Sequence, residues 1–206
     1  MSQFMEVVKS RRSANKFLEG IQIPREDFES IFKELSLAPS AFNLQHANYY
    51  VVEDRAKMDE VFEDAFKQYK IKTASAVIIV TGDKLAYQSA DKIYEGSRML
   101  GILDKMEYNM MIDMINNLYE GWGDTFRHDE AIRNASLSAM LFMLLAKEKG
   151  WDTCPMIYFD KDKISKTLNL PENEVPSLMI TIGKMDQKSD RIRGYRKPMA
   201  EYVKFV

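Results

Sequence analysis

A chain of 206 residues with 46% hydrophobic content can bury one substantial core, and its composition marks no internal linker, so a single domain over 1–206 is expected. Its 29 Lys plus Arg against 31 Asp plus Glu give a formal charge of -2 and a pI near 5.8, which leaves no electrostatic footprint for nucleic acid. The longest strongly apolar stretch, AMLFMLLA at 139–146, is far shorter than a bilayer-spanning helix, and MSQFMEVVKSRRS has no signal-like apolar run; no membrane partner and a cytoplasmic location are expected.

Helical periodicity begins with QFMEVVKSR and returns over 24–37, where Phe28, Ile31, Phe32 and Leu35 share a face and Pro39 follows as a stop. The stretch PSAFNLQ at 39–45 then spaces three uncharged polar side chains, Ser40, Asn43 and Gln45, ahead of a strand-like run, NYYVVED at 48–54. By itself it reads as a polar helix-to-strand loop built from turn formers. MDEVFEDAFKQY at 58–69 predicts a further helix, and SAVIIVTGD at 75–83 a second strand. Residues 84–130 carry Met99, Met106, Met110, Met111 and Met114 among many charges; helical spacing reads as packing, with a mobile lid as the alternative. Residues 134–149, NASLSAMLFMLLAKEK, are apolar nearly all round and close at Gly150, which predicts a central buried helix. MIYFD at 156–160 and SLMITIGK at 177–184 complete the predicted strands.

The one cysteine, Cys154, excludes an intrachain disulfide and reads as a buried structural thiol. With two histidines, His46 and His128, and no HExxH or CxxC spacing, no metal site is expected. Two compact basic clusters stand out: KSRRSANKF, with Arg11, Arg12, Ser13 and Lys16, and DRIRGYRKP, with Arg191, Arg193, Arg196 and Lys197. Guanidinium forks and a hydroxyl suit the oxygens of a phosphate, so together they can clamp one dianion; each can equally be a solvated charge run.

Taken in order, RRSxxKF, APSxFNxQ before a strand, GWDTCPMIYFD after a buried helix, LPENEVPSLMITIGK and RGYRKP resemble the FMN-dependent nitroreductase family across nearly the whole chain. The resemblance implies an α+β, nitroreductase-like fold: a central, mostly antiparallel sheet wrapped by helices, assembled as an intertwined homodimer with two FMN molecules at the interface. It places Arg11 and Ser13 on the FMN phosphate and ribityl chain, with Arg12 adding backbone or charge and Arg196 joining from the C-terminal side beside Arg193. It gives the 39–45 loop a use as well: Pro39, Ser40, Asn43 and Gln45 contact the flavin bound to the other subunit. Gln68 matches a polar position beside the flavin, and Pro155, Met156, Ile157 and Tyr158 match the segment passing its N5 edge.

Three departures from the family pattern stand in the sequence: Pro155-Met156-Ile157-Tyr158 where many relatives have a glycine pair or a Glu-Gly, His46 where they usually carry Pro, and Asn15 where they commonly carry Arg or Lys at the N1/O2 edge. The implied mechanism is ping-pong, with NAD(P)H passing a hydride through flavin N5 to a small conjugated acceptor such as a nitroaromatic or quinone, and with no catalytic side chain required. Two alternatives stay open: a specialised member that consumes flavin, dehalogenates or dehydrogenates, and a flavin-binding module with little turnover.

Overall fold

The computed structural model describes residues 2–206. α1 (Gln3–Ser10) and α2 (Arg25–Leu35) lead through a single 3₁₀ turn at Ala41–Asn43 into β1 (Ala47–Val52). α3 (Arg55–Asp64) and the short α4 (Lys70–Thr73) precede β2 (Ala76–Asp83). α5 (Ala90–Met99), α6 (Lys105–Gly121) and the 26-residue α7 (Gly123–Glu148) follow, then β3 (Asp152–Met156), α8 (Lys161–Thr167), β4 (Glu174–Gly183) and α9 (Met199–Tyr202).

The four strands form one sheet in the order β1-β2-β4-β3, every pairing antiparallel. Because side chains alternate along a strand, β2 feeds both faces: Val77 and Ile79 join Phe17, Met58, Val61, Cys154 and Met179 on one, while Ala76, Ile78 and Val80 join Phe28, Ile31, Phe142 and Ile180 on the other. α7 crosses the second face so closely that a Cβ on Gly82 would overlap the carbonyl of Ala131, which is why β2 carries glycine one residue before its end. Gly150, at φ +79, supplies the left-handed residue that ends α7. A third cluster lies outside the sheet, where α5 and α6 gather Leu44, Tyr87, Ile115 and Tyr119.

Several expectations need correction. The helix expected over 58–69 starts earlier, where Asp54 caps Lys57 N–H at 2.9 Å, and stops at Asp64 because Phe66 and Lys67 take left-handed φ values of 49° and 56°. The strand expected at 156–160 lies instead at Asp152–Met156. Ile157 and Tyr158 project into solvent, and Asp160 caps α8. The expected 134–149 helix begins at Gly123, and it is not buried all round. Its sheet face is built of Ala131, Ala135, Ala139, Phe142 and Ala146, whereas Leu137 and Met140 face outward at 48% and 44% exposure. The methionines of α5 and α6 do not pack within this chain: Met99, Met106, Met110 and Met114 are exposed, and only Met111 joins the third cluster.

Candidate functional site

Between α1 and α2 the chain runs along the outer edge of β3. Ala14 N–H donates to Thr153 O at 3.0 Å, and Ser13 and Thr153 form a parallel bridge. That edge is where a strand containing Pro155, which has no N–H, can be accommodated. The C-terminal arm returns to the same place: Arg193 Nη2 donates to Lys9 O at 2.6 Å and to Arg11 O at 3.2 Å, and Arg12 Nη1 donates to Asp190 Oδ2 at 2.7 Å. Two basic clusters some 180 residues apart thereby line one cavity of about 160 Å3, with Arg11, Arg12, Ser13, Asn15, Arg193 and Arg196 in its wall.

The charges in that wall are not equivalent. Arg12 is neutralised by Asp190, and Lys16 turns to Asp186 at 4.0 Å. Arg11 meets no carboxylate among the described residues. Its pKa is held below the ordinary guanidinium value, first by burial and then by the like charges of Arg193 and Arg196. Arg196 itself donates, among the described residues, only to the carbonyls of Gly194 and Tyr195. Such a cluster of cations is electrostatically incomplete and suits a polyvalent anion.

Next to it, Lys70 Nζ donates to Cys154 Sγ at 3.2 Å, and Gln68 Nε2 donates to the Tyr158 carbonyl at 2.6 Å. Tyr158 stacks on Phe66 with ring centroids 4.4 Å apart. Pro155 is half-buried, while the Met156 side chain packs into the core, so only its backbone is available to a ligand. Neither histidine bonds Cys154: His46 Nε2 meets Tyr119 Oη at 3.2 Å and His128 meets Asp129. Among the described residues no three His, Cys, Asp or Glu side chains are grouped to hold a metal ion.

The 39–45 loop is elsewhere. β1, which it enters, is the sheet edge opposite β3, three strand spacings or about 14 Å away. Pro39, Ser40 and Gln45 line a different cavity of about 180 Å3 with Phe32, Tyr49 and Asn134, and the two cavities share no residue. Asn43 points to solvent. The loop holds an unusual shape: Phe42, Asn43 and Gln45 all have φ between 50° and 54°, which costs on the order of 1–2 kcal/mol per residue. Ser40 Oγ accepts from Gln45 N–H at 2.9 Å, Tyr94 Oη donates to Phe42 O at 2.9 Å, and Leu44 anchors in the α5–α6 cluster. From α7, Asn134 Oδ1 accepts from Ala41 N–H at 2.7 Å. Sequence reasoning missed Asn134, Tyr94, Lys70 and Asp190. Asn134 was signalled by its place four residues after Glu130, two polar groups that an apolar helix must satisfy internally.

The Nitroreductase family model matches residues 8–184. The chain is 51% identical over 206 residues, all of both chains, to MhqN of Bacillus subtilis (strain 168), which is named as an NAD(P)H nitroreductase. It superposes on the crystal structure of Bacillus subtilis ydfN, described as a nitroreductase, with a TM-score of 0.96 at 50% identity, covering 99% of each chain. It also superposes on a nitroreductase from Exiguobacterium sibiricum 255-15 solved in complex with FMN, with a TM-score of 0.90 at 27% identity, covering 100% of this chain and 98% of that one.

Proposed function

The chain belongs to the nitroreductase family, and from that premise we propose that it is an FMN-dependent oxidoreductase carrying electrons from NAD(P)H to a small conjugated acceptor such as a nitroaromatic or quinone. It works as a homodimer of single-domain subunits over 1–206, in the cytoplasm. The observation that carries the reading is Arg11, half-buried between Arg193 and Arg196 with no carboxylate beside it among the described residues. A phosphate dianion completes that charge balance. At about 160 Å3 the cavity is smaller than the roughly 300–1,000 Å3 of a complete ligand pocket, as befits one part of a larger site.

In this reading Arg11, Ser13 and Arg196 hold the phosphate, and Arg12, committed to Asp190, holds the arm that brings Arg196 in. Asn15 offers an uncharged donor to the flavin edge, and Gln68 fixes the Tyr158 carbonyl so that the 155–158 segment keeps its path past the ring. Pro39, Ser40, Asn43 and Gln45 reach the flavin of the other subunit. The outward apolar residues support that assembly: Leu137 and Met140 on α7, and Ile192, Tyr195, Met199, Tyr202 and Phe205 on the arm, leave a face that a second copy would cover. When bound, the isoalloxazine supplies the two-electron chemistry, and the protein binds, orients and excludes water.

The test is the purified protein itself. It is expected to be a yellow homodimer whose flavin absorption bleaches on NAD(P)H addition and returns on adding a quinone or nitroaromatic. A colourless monomer that ignores added FMN overturns the reading. A bound flavin that NAD(P)H does not bleach leaves a binding module in place of an enzyme.

A further inference from the structure

We infer that Asn134 is a positioning residue for the flavin: from inside α7 it sets the conformation of the 39–45 loop through the Ala41 amide. The inference rests on the proposed role of that loop. Asn134 is 3% exposed, and its amide is saturated in one orientation only. Ala41 N–H is a donor, so the atom it meets at 2.7 Å is the carbonyl oxygen; the amide nitrogen then donates to the Glu130 carbonyl at 2.8 Å and to the Glu130 carboxylate at 3.2 Å. Glu130, itself buried, is held in turn by Arg133. A chain of contacts from Arg133 through Glu130 and Asn134 thus ends on the backbone of the loop.

The loop has few other ties. Asn43 N–H and Leu44 N–H bond back to Ser40 O and Ala41 O, and Gln45 N–H to Ser40 Oγ, so these bonds are internal. Besides the buried Leu44 side chain and the partly buried Phe42 ring on the same cluster, the polar tethers to the rest of the protein among the described residues are Asn134 at Ala41 and Tyr94 at Phe42. Three left-handed residues follow Ala41 within four positions, a conformation that side-chain-bearing residues leave when released. Without Asn134 the loop relaxes, and Ser40 and Asn43 lose the spacing with which they would meet a flavin.

The charge pattern makes a selective test possible. Glu130 and Arg133 are the charged groups against Asn134 on its own helix, and neutral His46 lines the same cavity from the end of the loop. Asn134→Asp puts a second carboxylate against Glu130. Near neutrality and above, both cannot be ionised without repulsion. At lower pH the pair shares a proton, so that the protonated carboxyl donates to its partner and the other oxygen accepts from Ala41 N–H.

FMN affinity is measured by fluorescence quenching for wild type, Asn134→Ala and Asn134→Asp at about pH 8 and about pH 5.5. Amide exchange of the peptide spanning 40–46 is followed alongside in flavin-free protein. The alanine variant is expected to bind FMN about tenfold more weakly at both pH values and to exchange faster across the loop. The aspartate variant is expected to match it at the higher pH and to return to within about threefold of wild type at the lower one. Affinities within about twofold of wild type throughout with unchanged loop exchange overturn the inference, as does an aspartate variant equally weakened at both pH values. If wild type itself binds no FMN, the proposed function fails; loop exchange in the two variants then still decides whether Asn134 sets the loop.

Discussion

Arg12 Nη1 donates to Asp190 Oδ2 across 2.7 Å, while Arg11, one position earlier, has no carboxylate beside it among the described residues. Adjacent guanidinium groups in one cavity wall therefore have different duties. Arg12 ties the C-terminal arm to the N-terminal segment, and Arg11 is the one proposed to meet a ligand. As the Arg12–Asp190 pair is about one-third exposed on each side, its direct stabilisation is small, on the order of 0–1 kcal/mol, and its value is geometric.

Arg11→Ala and Arg196→Ala are each expected to weaken FMN binding by about 1.5–3 kcal/mol while leaving the fold intact at saturating cofactor, since each removes one charge-assisted contact. Isothermal titration checks this. Unchanged affinity in both variants would reduce the two clusters to solvated charge.

Asn15 lines the basic cavity, whereas Lys16 is directed at Asp186, 4.0 Å away. Asn15→Lys is accordingly expected to raise the two-electron midpoint potential of the bound flavin, by about 30 mV for each 1.4 kcal/mol of selective stabilisation of the reduced form. Lys16→Ala should leave it nearly unchanged. Potentiometry on the two variants discriminates: the reverse ranking would put Lys16, not Asn15, at the ring edge.

Cys154 is buried with Lys70 Nζ at 3.2 Å, and no histidine bonds it. Cys154→Ser keeps an acceptor for Lys70 and is expected to retain turnover with NAD(P)H. Abolished turnover with FMN still bound would contradict a structural thiol.

Burial pushes the His46 pKa down from 6.5 to about 4, with Asp83 opposing the shift only partly. The folded state thus binds its proton more weakly than the unfolded chain. The contribution is fully present above pH 6.5 and is lost progressively as pH falls from 6.5 towards 4, to a total of about 3 kcal/mol. Urea unfolding of flavin-free protein across that window should show this acid slope, and His46→Gln should lack its share of it. Identical slopes in the two proteins would mean that His46 is not held neutral.

The sheet was the most legible part of the sequence, because β2 carries an unbroken β-branched run at 77–81 and β4 an apolar stretch at 178–182 broken only by Thr181, and both suit a two-sided core. β3 was misplaced by a few residues: Met-Ile-Tyr-Phe is the more strand-like composition, yet Asp152–Met156 has β4 on one side and the Ser13 bridge on the other. The end of α3 was illegible because Phe66 and Lys67 adopt left-handed φ without the glycine that announces it. The convergence of Arg11 and Arg196 on one cavity is a tertiary fact that short-range spacing cannot carry; only the order of motifs pointed to it. The methionines at 106, 110 and 114 recur every fourth residue, but that period fixes a common face without saying what the face meets.

The two halves of the proposed site, clamp and loop, stand at opposite sheet edges in cavities with no residue in common. In the proposed dimer each flavin therefore draws one half from either chain, and cofactor loading becomes linked to subunit association: dilution strips flavin, and flavin holds subunits together. The same division permits genetic complementation. Co-expressing a subunit lacking Arg11 with one lacking Asn134 yields mixed dimers in which one site collects both lesions and the other collects neither, so two defective parents together recover an intact site.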